Sequence, residues 1–334
     1  MRFTGIRHAC LIAAAAATFG VGPALADVVK WDMANEYNAT SNHGEGDTFF
    51  AKTLREKSRG QIEITLHFGA SLGYKSKDQL DAVGDGAIPI ADTYVGPLGG
   101  IDAMFLLPSL PFLAATTEEA AKLFEVARPY YEEIFAANNQ KLLYASPWAP
   151  SGIWAKKPVD NIAALKNLKI RTYDPNGTIT LQEAGAAPIQ LSWADVVPQL
   201  GTGGIEAVLT SAEGGTNAKF WEHLSHFTEI NYAMPLNMVH INLDVFNDLS
   251  PELQKAVLDA AAETSAHNWK GVNARNARNY ATMQQNGMTV VTGVSSDYLK
   301  SLSDAGQKAL DQWLVKTGDK GRTIIAEYKK RTGK

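Results

Sequence analysis

Apolar and polar residues alternate at Ile62, Ile64 and Leu66 against Glu63, Thr65 and His67, the two-residue period of a strand with one buried face. Residues 28–33 predict an earlier strand. Between them, residues 46–58 carry Phe49, Phe50 and Leu54 at helical spacing, with Gly60 just past the end. A second helix over 77–83 and a strand over 88–92 complete a β-α-β-α-β order. That order predicts a mostly parallel sheet whose ligands gather at the carboxyl ends of its strands. Asn35, Glu36, Tyr74, Asp92 and Tyr94 fall near such ends.

Further along, the pattern predicts a helix over 117–137, a strand over 141–145 and a crossing between domains over 146–152. A second α/β unit follows, with a strand ending at Arg171, helices over 178–184 and 193–201, and a strand over 207–210. Pro235 breaks the chain before an apolar run at 238–243. The segment 251–288 holds only Gly271 before Gly287 near its end and no Pro after Pro251, with Leu253, Val257, Ala261, Trp269, Val272, Tyr280 and Met283 at helical spacing. Ser250 is placed to cap it and Pro251 to fill its first turn. At ~1.5 Å per residue it would run about 50 Å, longer than one small lobe needs. Two helices broken near Gly271 would satisfy the same pattern. No repeat or low-complexity tract is present, so two interleaved α/β lobes fit better than an array.

Arg2, Arg7 and His8 precede an alanine-rich apolar run from Cys10 to Val21, and Ala24-Leu25-Ala26 supplies a small-x-small cleavage site. This is the pattern of a secretory signal peptide over 1–26, too short for a comfortable membrane span, and predicts a soluble periplasmic protein. The only cysteine, Cys10, lies inside that run, so the mature chain has no thiol for disulfide, metal or nucleophile chemistry. Removing the segment takes the formal charge from −4 to −6 and leaves 308 of 334 residues, enough for two domains. A mildly acidic chain without a basic block argues against nucleic acid as a partner.

The candidate chemistry centres on Arg171, delivered by a short apolar strand into a turn rich in Asp, Pro, Asn and Gly. A fixed guanidinium can clamp a carboxylate with two parallel hydrogen bonds. The surrounding order is KPVDNIAALKNLKIRTYDPNG, then AGAAPIQLSWADVVPQLGTGGIEAVLTS. It resembles the solute receptors of TRAP transporters, the DctP family. The resemblance implies a two-lobed periplasmic binding protein fold, type II-like, with a cleft between the lobes and a long helix spanning both. It implies a receptor rather than an enzyme, with no cofactor or metal, that captures a small organic acid as a monomer. The ligand would then pass to one small and one large integral membrane subunit. On this basis lobe I takes 27–149 and 236–276, and lobe II takes 150–235 and 277–334. Arg171 matches the family's carboxylate-binding arginine. Trp193 falls where relatives place an aromatic, and Asp92, Tyr74 and Thr210 match cleft positions, with Glu213, Tyr94 and Asn35 as additions. Where many relatives carry a second arginine, in a G-x-R stretch, this chain has Gly152-Ile153-Trp154. An indole in place of a guanidinium disfavours C4-dicarboxylates and sialic acid. It favours a monocarboxylate, an aromatic or hydroxy acid, walled by Trp154 and Trp193.

Competing readings remain open. An ABC-type periplasmic binder of sugars or amino acids would share the two-lobed architecture. Gly69-Ala70-Ser71-Leu72-Gly73 matches the G-x-S-x-G nucleophile elbow of a secreted serine hydrolase, although only about one β-α-β unit precedes Ser71 and no HGGG-like segment appears. His43, Glu45 and Asp47 alternate near a helix start, where acidic residues are favoured without any metal.

Overall fold

The computed structural model describes Met1 and residues 28–333. Apart from Met1, the leader expected over 1–26 lies outside them. In the described chain, strands β1 (Val29–Asn35), β2 (Ile62–His67), β3 (Ile90–Tyr94), β4 (Gln140–Pro147) and β10 (Leu236–Asn242) form one sheet in the order β2-β1-β3-β10-β4. The first three are parallel, and β10 runs antiparallel to both its neighbours. All seven residues of β10 are buried, and its three polar members, Asn237, His240 and Asn242, find hydrogen-bond partners inside.

Strands β5 (Ser151–Ala155), β6 (Lys169–Thr172), β7 (Ala187–Gln190), β8 (Ala207–Ser211), β9 (His226–Thr228) and β11 (Thr289–Val291) form the second sheet, ordered β11-β9-β5-β8-β6-β7. The chain crosses between sheets after β4 and returns before β10. These crossings are bonded together, Trp148 donating its backbone N–H to the Pro235 carbonyl at 2.9 Å and Ser151 to that of Ala233 at 2.9 Å.

The helices are α1 (Asn42–Lys57), α2 (Ser76–Gly84), α3 (Thr117–Ala137), α4 (Pro175–Glu183), α5 (Val196–Thr202), α6 (Ala212–Asn217), α7 (Leu243–Asn247), α8 (Pro251–Gln285) and α9 (Ser296–Thr332). Helix α8 is unbroken over 35 residues, capped by the Ser250 hydroxyl on the Leu253 N–H, and Gly271 does not interrupt it. Its first half packs Val257, Ala260 and Ala261 against Trp31 and Phe50 under the first sheet. Its end puts Met283 among Trp154, Val208 and Phe227 of the second lobe. One helix therefore ties both lobes.

Helix α9 does the same in the opposite sense, which corrects the assignment of all of 277–334 to lobe II. Tyr298 and Leu302 pack with Ile170 and Leu181 of the second lobe, but Trp313, Ile324 and Tyr328 enter the core of Phe105, Tyr131 and Phe135 in the first. The side-chain donors explain the return: the Trp313 indole N–H reaches the Ala103 carbonyl at 2.8 Å, and the Tyr328 hydroxyl reaches that of Leu113 at 2.9 Å. Gly318, at φ 59° and ψ −133°, supplies the bend, a conformation that L side chains rarely adopt. No helix among the described residues is long and apolar enough to cross a membrane.

Candidate ligand-binding cleft

Strand β6 lies between β7 and β8, exposed at Lys169 and buried from Ile170 to Thr172. There Arg171 is only 2% exposed. Its Nε donates to the Leu191 carbonyl at 3.0 Å, which fixes the plane of the fork. Its guanidinium carbon lies 5.6 Å from the Trp193 ring centroid and 5.9 Å from that of Tyr173. It forms no ion pair with a described residue. Burial pulls its pKa below the ordinary value, and the groups that counter this are Tyr37, Tyr94, Glu36 and Tyr173. A buried cation without a counter-ion is costly unless an anion completes the site.

The turn beyond Arg171 is a helix start. Asp174 caps α4 by accepting the Gly177 N–H at 3.0 Å, with Pro175 in the first turn. Its second oxygen accepts the Tyr94 hydroxyl of the other lobe at 3.0 Å. Burial raises Asp174 above the ordinary carboxylate range, and these donors pull against the rise.

Arg171 faces a narrow space lined by both lobes. Tyr37, Tyr94, Trp148 and Pro235 wall it on one side, and Tyr173, Trp193, Thr210, Ser151 and Ser211 on the other. Tyr37 and Trp148 meet edge to face with centroids 4.7 Å apart, and Tyr37 lies 5.7 Å from Trp193. The walls are thus flat rings with hydroxyls between them, and Arg171 is the only cation among them. Ties between lobes surround the space. Glu36 accepts the N–H of Ser76 at 2.8 Å and of Ala194 at 3.1 Å, and Lys75 pairs with Asp195 at 2.8 Å.

Of the residues singled out from sequence, Arg171, Trp193, Tyr94 and Thr210 come together on this space. The others do not. Trp154 is buried in the second-lobe core between Phe220 and Phe227, its indole N–H spent on the Ser211 carbonyl at 3.2 Å. Asp92 and Asn35 lie behind the wall, bonded to Asn237 and Asp47. Tyr74 packs beside Val83 and Ile88. Glu213 accepts the Asn42 N–H at 2.6 Å and the Arg275 Nε at 2.7 Å, bridging lobes without lining the space. Sequence reasoning did not bring Tyr37, Trp148, Ser151 or Tyr173 to the site. Tyr173 was reachable, because the two-residue period puts it on the same side as Arg171.

Two competing chemistries find no support in the geometry. No described histidine is hydrogen-bonded to Ser71, which lies exposed on its turn. His43, Glu45 and Asp47 part to different partners: Ser146, Arg275, and Asn35 with Tyr144. Among the described residues no cluster of such groups could hold a metal.

The family described as bacterial extracellular solute-binding protein, family 7 (DctP) matches residues 33–317. The chain belongs to this family. Among DctP relatives, the 2,3-diketo-L-gulonate-binding periplasmic protein YiaO of Escherichia coli is 25% identical over 97% of this chain and 98% of its own. A marine metagenome TRAP solute-binding protein specific for pyroglutamate superposes with a TM-score of 0.87 at 32% identity, covering 91% of this chain and 99% of that one. A Bordetella pertussis extracytoplasmic solute receptor binding pyroglutamic acid gives 0.87 at 30%, over 90% and 100%. The two-lobed fold and the role of TRAP solute receptor for small organic acids thus hold over the ABC-type and hydrolase readings.

Proposed function

We propose that this chain is a monomeric periplasmic receptor that closes on a small cyclic monocarboxylate, pyroglutamate being the leading candidate, and hands it to small and large TRAP membrane subunits. The observation that carries the reading is Arg171, a buried guanidinium with no described counter-ion at the floor of a ring-walled cleft. One carboxylate completes it by two charge-assisted hydrogen bonds. The inner space offers a second carboxylate no further cation, and at the mouth Lys75 is engaged with Asp195 while Lys77 lies beside Asp78. Five aromatic side chains suit the faces of a flat ring, and the Thr210 and Ser211 hydroxyls can meet its polar edge. The pyroglutamate ligands of two relatives near 30% identity support the same size and charge. The N-terminal leader pattern and the extracytoplasmic character of the family support export.

Calorimetric titration of the mature protein with pyroglutamate, its neutral amide and open-chain glutamate tests this. Binding of pyroglutamate alone is the expected result. Equal binding of the amide would show that Arg171 does not act as a carboxylate clamp, and preference for glutamate would remove the monocarboxylate assignment.

A further inference from the structure

Behind the cleft, two carboxyl groups are buried together without a cation. Asp47 of α1 and Asp92 of β3 are both fully inaccessible, and both accept from one amide nitrogen, Asn35 Nδ2, at 2.7 and 3.2 Å. No described salt bridge reaches either of them. Two carboxylates in contact inside a protein cannot both stay ionised, so the pair holds a proton.

The amides around the pair are fixed by what lies on their far side. Asn35 turns its oxygen to the Tyr37 N–H at 2.7 Å, so its NH₂ must face the carboxyls. Asn237 turns its oxygen to the Trp148 indole N–H at 2.9 Å, so its NH₂ must face Asp92 Oδ1, also at 2.9 Å. An indole and a backbone amide only donate, which leaves neither asparagine free to flip. Asp92 therefore receives a fixed N–H on each oxygen and is held as the anion. Asp47 receives Asn35 on one oxygen and the Tyr144 hydroxyl, at 3.2 Å, on the other. A hydroxyl can accept as well as donate, so Asp47 tolerates a proton where Asp92 does not.

We propose that Asp47 and Asp92 share one proton, resident on Asp47, and that Asp92, through Asn237 and Asn35, positions Trp148 and Tyr37 for the ligand. The groups facing the pair are Asn35 from β1, Tyr144 from β4 and Asn237 from β10, and the tyrosine is the one titratable side chain among them. Burial raises both acids, and the neighbouring Asp92 charge adds to the rise at Asp47. The positioning role rests on the cleft being the binding site, whereas the proton's location does not.

The test uses D47N and D92N in the whole mature protein. An Asn at 47 imitates a protonated acid, keeping an oxygen toward Asn35 and turning its N–H to the Tyr144 hydroxyl, which can accept it. An Asn at 92 must turn its own NH₂ toward one of two fixed donors. D47N should bind pyroglutamate within about twofold of wild type, and D92N at least about tenfold more weakly. In a W148F background, which lacks the indole N–H, the D92N penalty should shrink to about threefold or less, a coupling that general destabilisation does not produce. Additive losses would overturn the positioning role. If D92N does not fold, N237A takes its place in the cycle with the same expectations. Infrared spectra without ligand read the proton alone. The wild-type spectrum should contain a protonated-carboxyl band at neutral pH that D47N lacks. Absence of such a band from wild type, or its retention in D47N, would overturn the assignment even if pyroglutamate proves not to be the ligand.

Discussion

The Arg171 guanidinium carbon lies 5.6 Å from the centre of the Trp193 ring, and no described carboxylate pairs with it. The cation is held by an aromatic face and the Leu191 carbonyl, neither of which neutralises it. Its free energy in the empty protein is therefore poor, and this sets up opposite effects on stability and binding.

R171M should raise the melting temperature of the unliganded protein, because it replaces an unpaired buried charge by an apolar chain of similar length. The same change should weaken carboxylate binding by about 100-fold or more, the worth of two charge-assisted hydrogen bonds. R171K should also bind poorly, since an ammonium cannot keep the Leu191 bond and still present a planar fork. Thermal melts with and without pyroglutamate check both. A less stable R171M would contradict the claim that the charge lacks a partner.

Trp154 invites a contrasting substitution. Its ring packs so tightly on Gly215 that a Cβ there would come within 2.2 Å of Trp154 Cζ2, and Phe220 meets it at 87°. W154F should cost about 1–3 kcal/mol of stability through the cavity it leaves. Ligand affinity measured well below the melting temperature should stay within about threefold of wild type. A large loss of affinity with unchanged stability would return Trp154 to the cleft.

This pair of tryptophans shows what the sequence could and could not disclose. The period-2 and helical patterns placed β1 to β3, α3 and the long α8, because each is an amphipathic or fully buried run with clear punctuation. The arginine at the end of β6 was legible for the same reason. The side of the strand on which a ring ends up was not. Trp154 sits on a strand whose five residues are all buried, so no alternation distinguished its core face from a cleft face. Trp148 lies in a crossing segment without periodicity, and only the pairing of that segment with Pro235 turns it toward the ligand space. Asn35 does end β1, whereas Asp92 sits in the middle of β3, and both side chains point behind the cleft wall.

Acid should destabilise the protein through His240. Burial lowers its pKa to about 3, and with Thr93 donating to Gln79 the ring Nε2 must carry the hydrogen that Thr93 accepts. The folded state thus binds fewer protons than the unfolded one between pH 3 and about 6.5, so stability is lost as pH falls through that window. Asp92, raised to about 6, works in the opposite direction between about pH 6 and 4, which makes the total slope uninformative. The difference between wild type and H240L isolates the histidine. Relative to the variant, wild type should lose about 1.4 kcal/mol per pH unit below pH 6. Parallel denaturation midpoints at pH 7 and 5 would exclude a buried neutral His240.

The ties between lobes should differ in worth according to their burial. The Glu213 side chain is 3% exposed and that of Arg275 14%, and Glu213 also holds the Asn42 N–H across the lobe boundary. Lys75 and Asp195, at 31% and 46%, pair at the mouth of the cleft in contact with water. Exposed pairs contribute about 0–1 kcal/mol and are screened by salt, whereas removing one member of a buried pair leaves the other uncompensated. E213Q should therefore speed ligand dissociation by about tenfold or more, since Arg275 keeps only Glu45 and the Thr40 carbonyl on the first lobe. K75A should change it by about threefold at most, and in molar salt not at all. Glu213 does not line the space around Arg171, so a ligand contact cannot account for its effect, whereas Lys75 lines the outer cleft together with Arg171. Stopped-flow dissociation at two ionic strengths separates the two. Equal effects of E213Q and K75A would mean that closure rests on the rings around the ligand rather than on these ties.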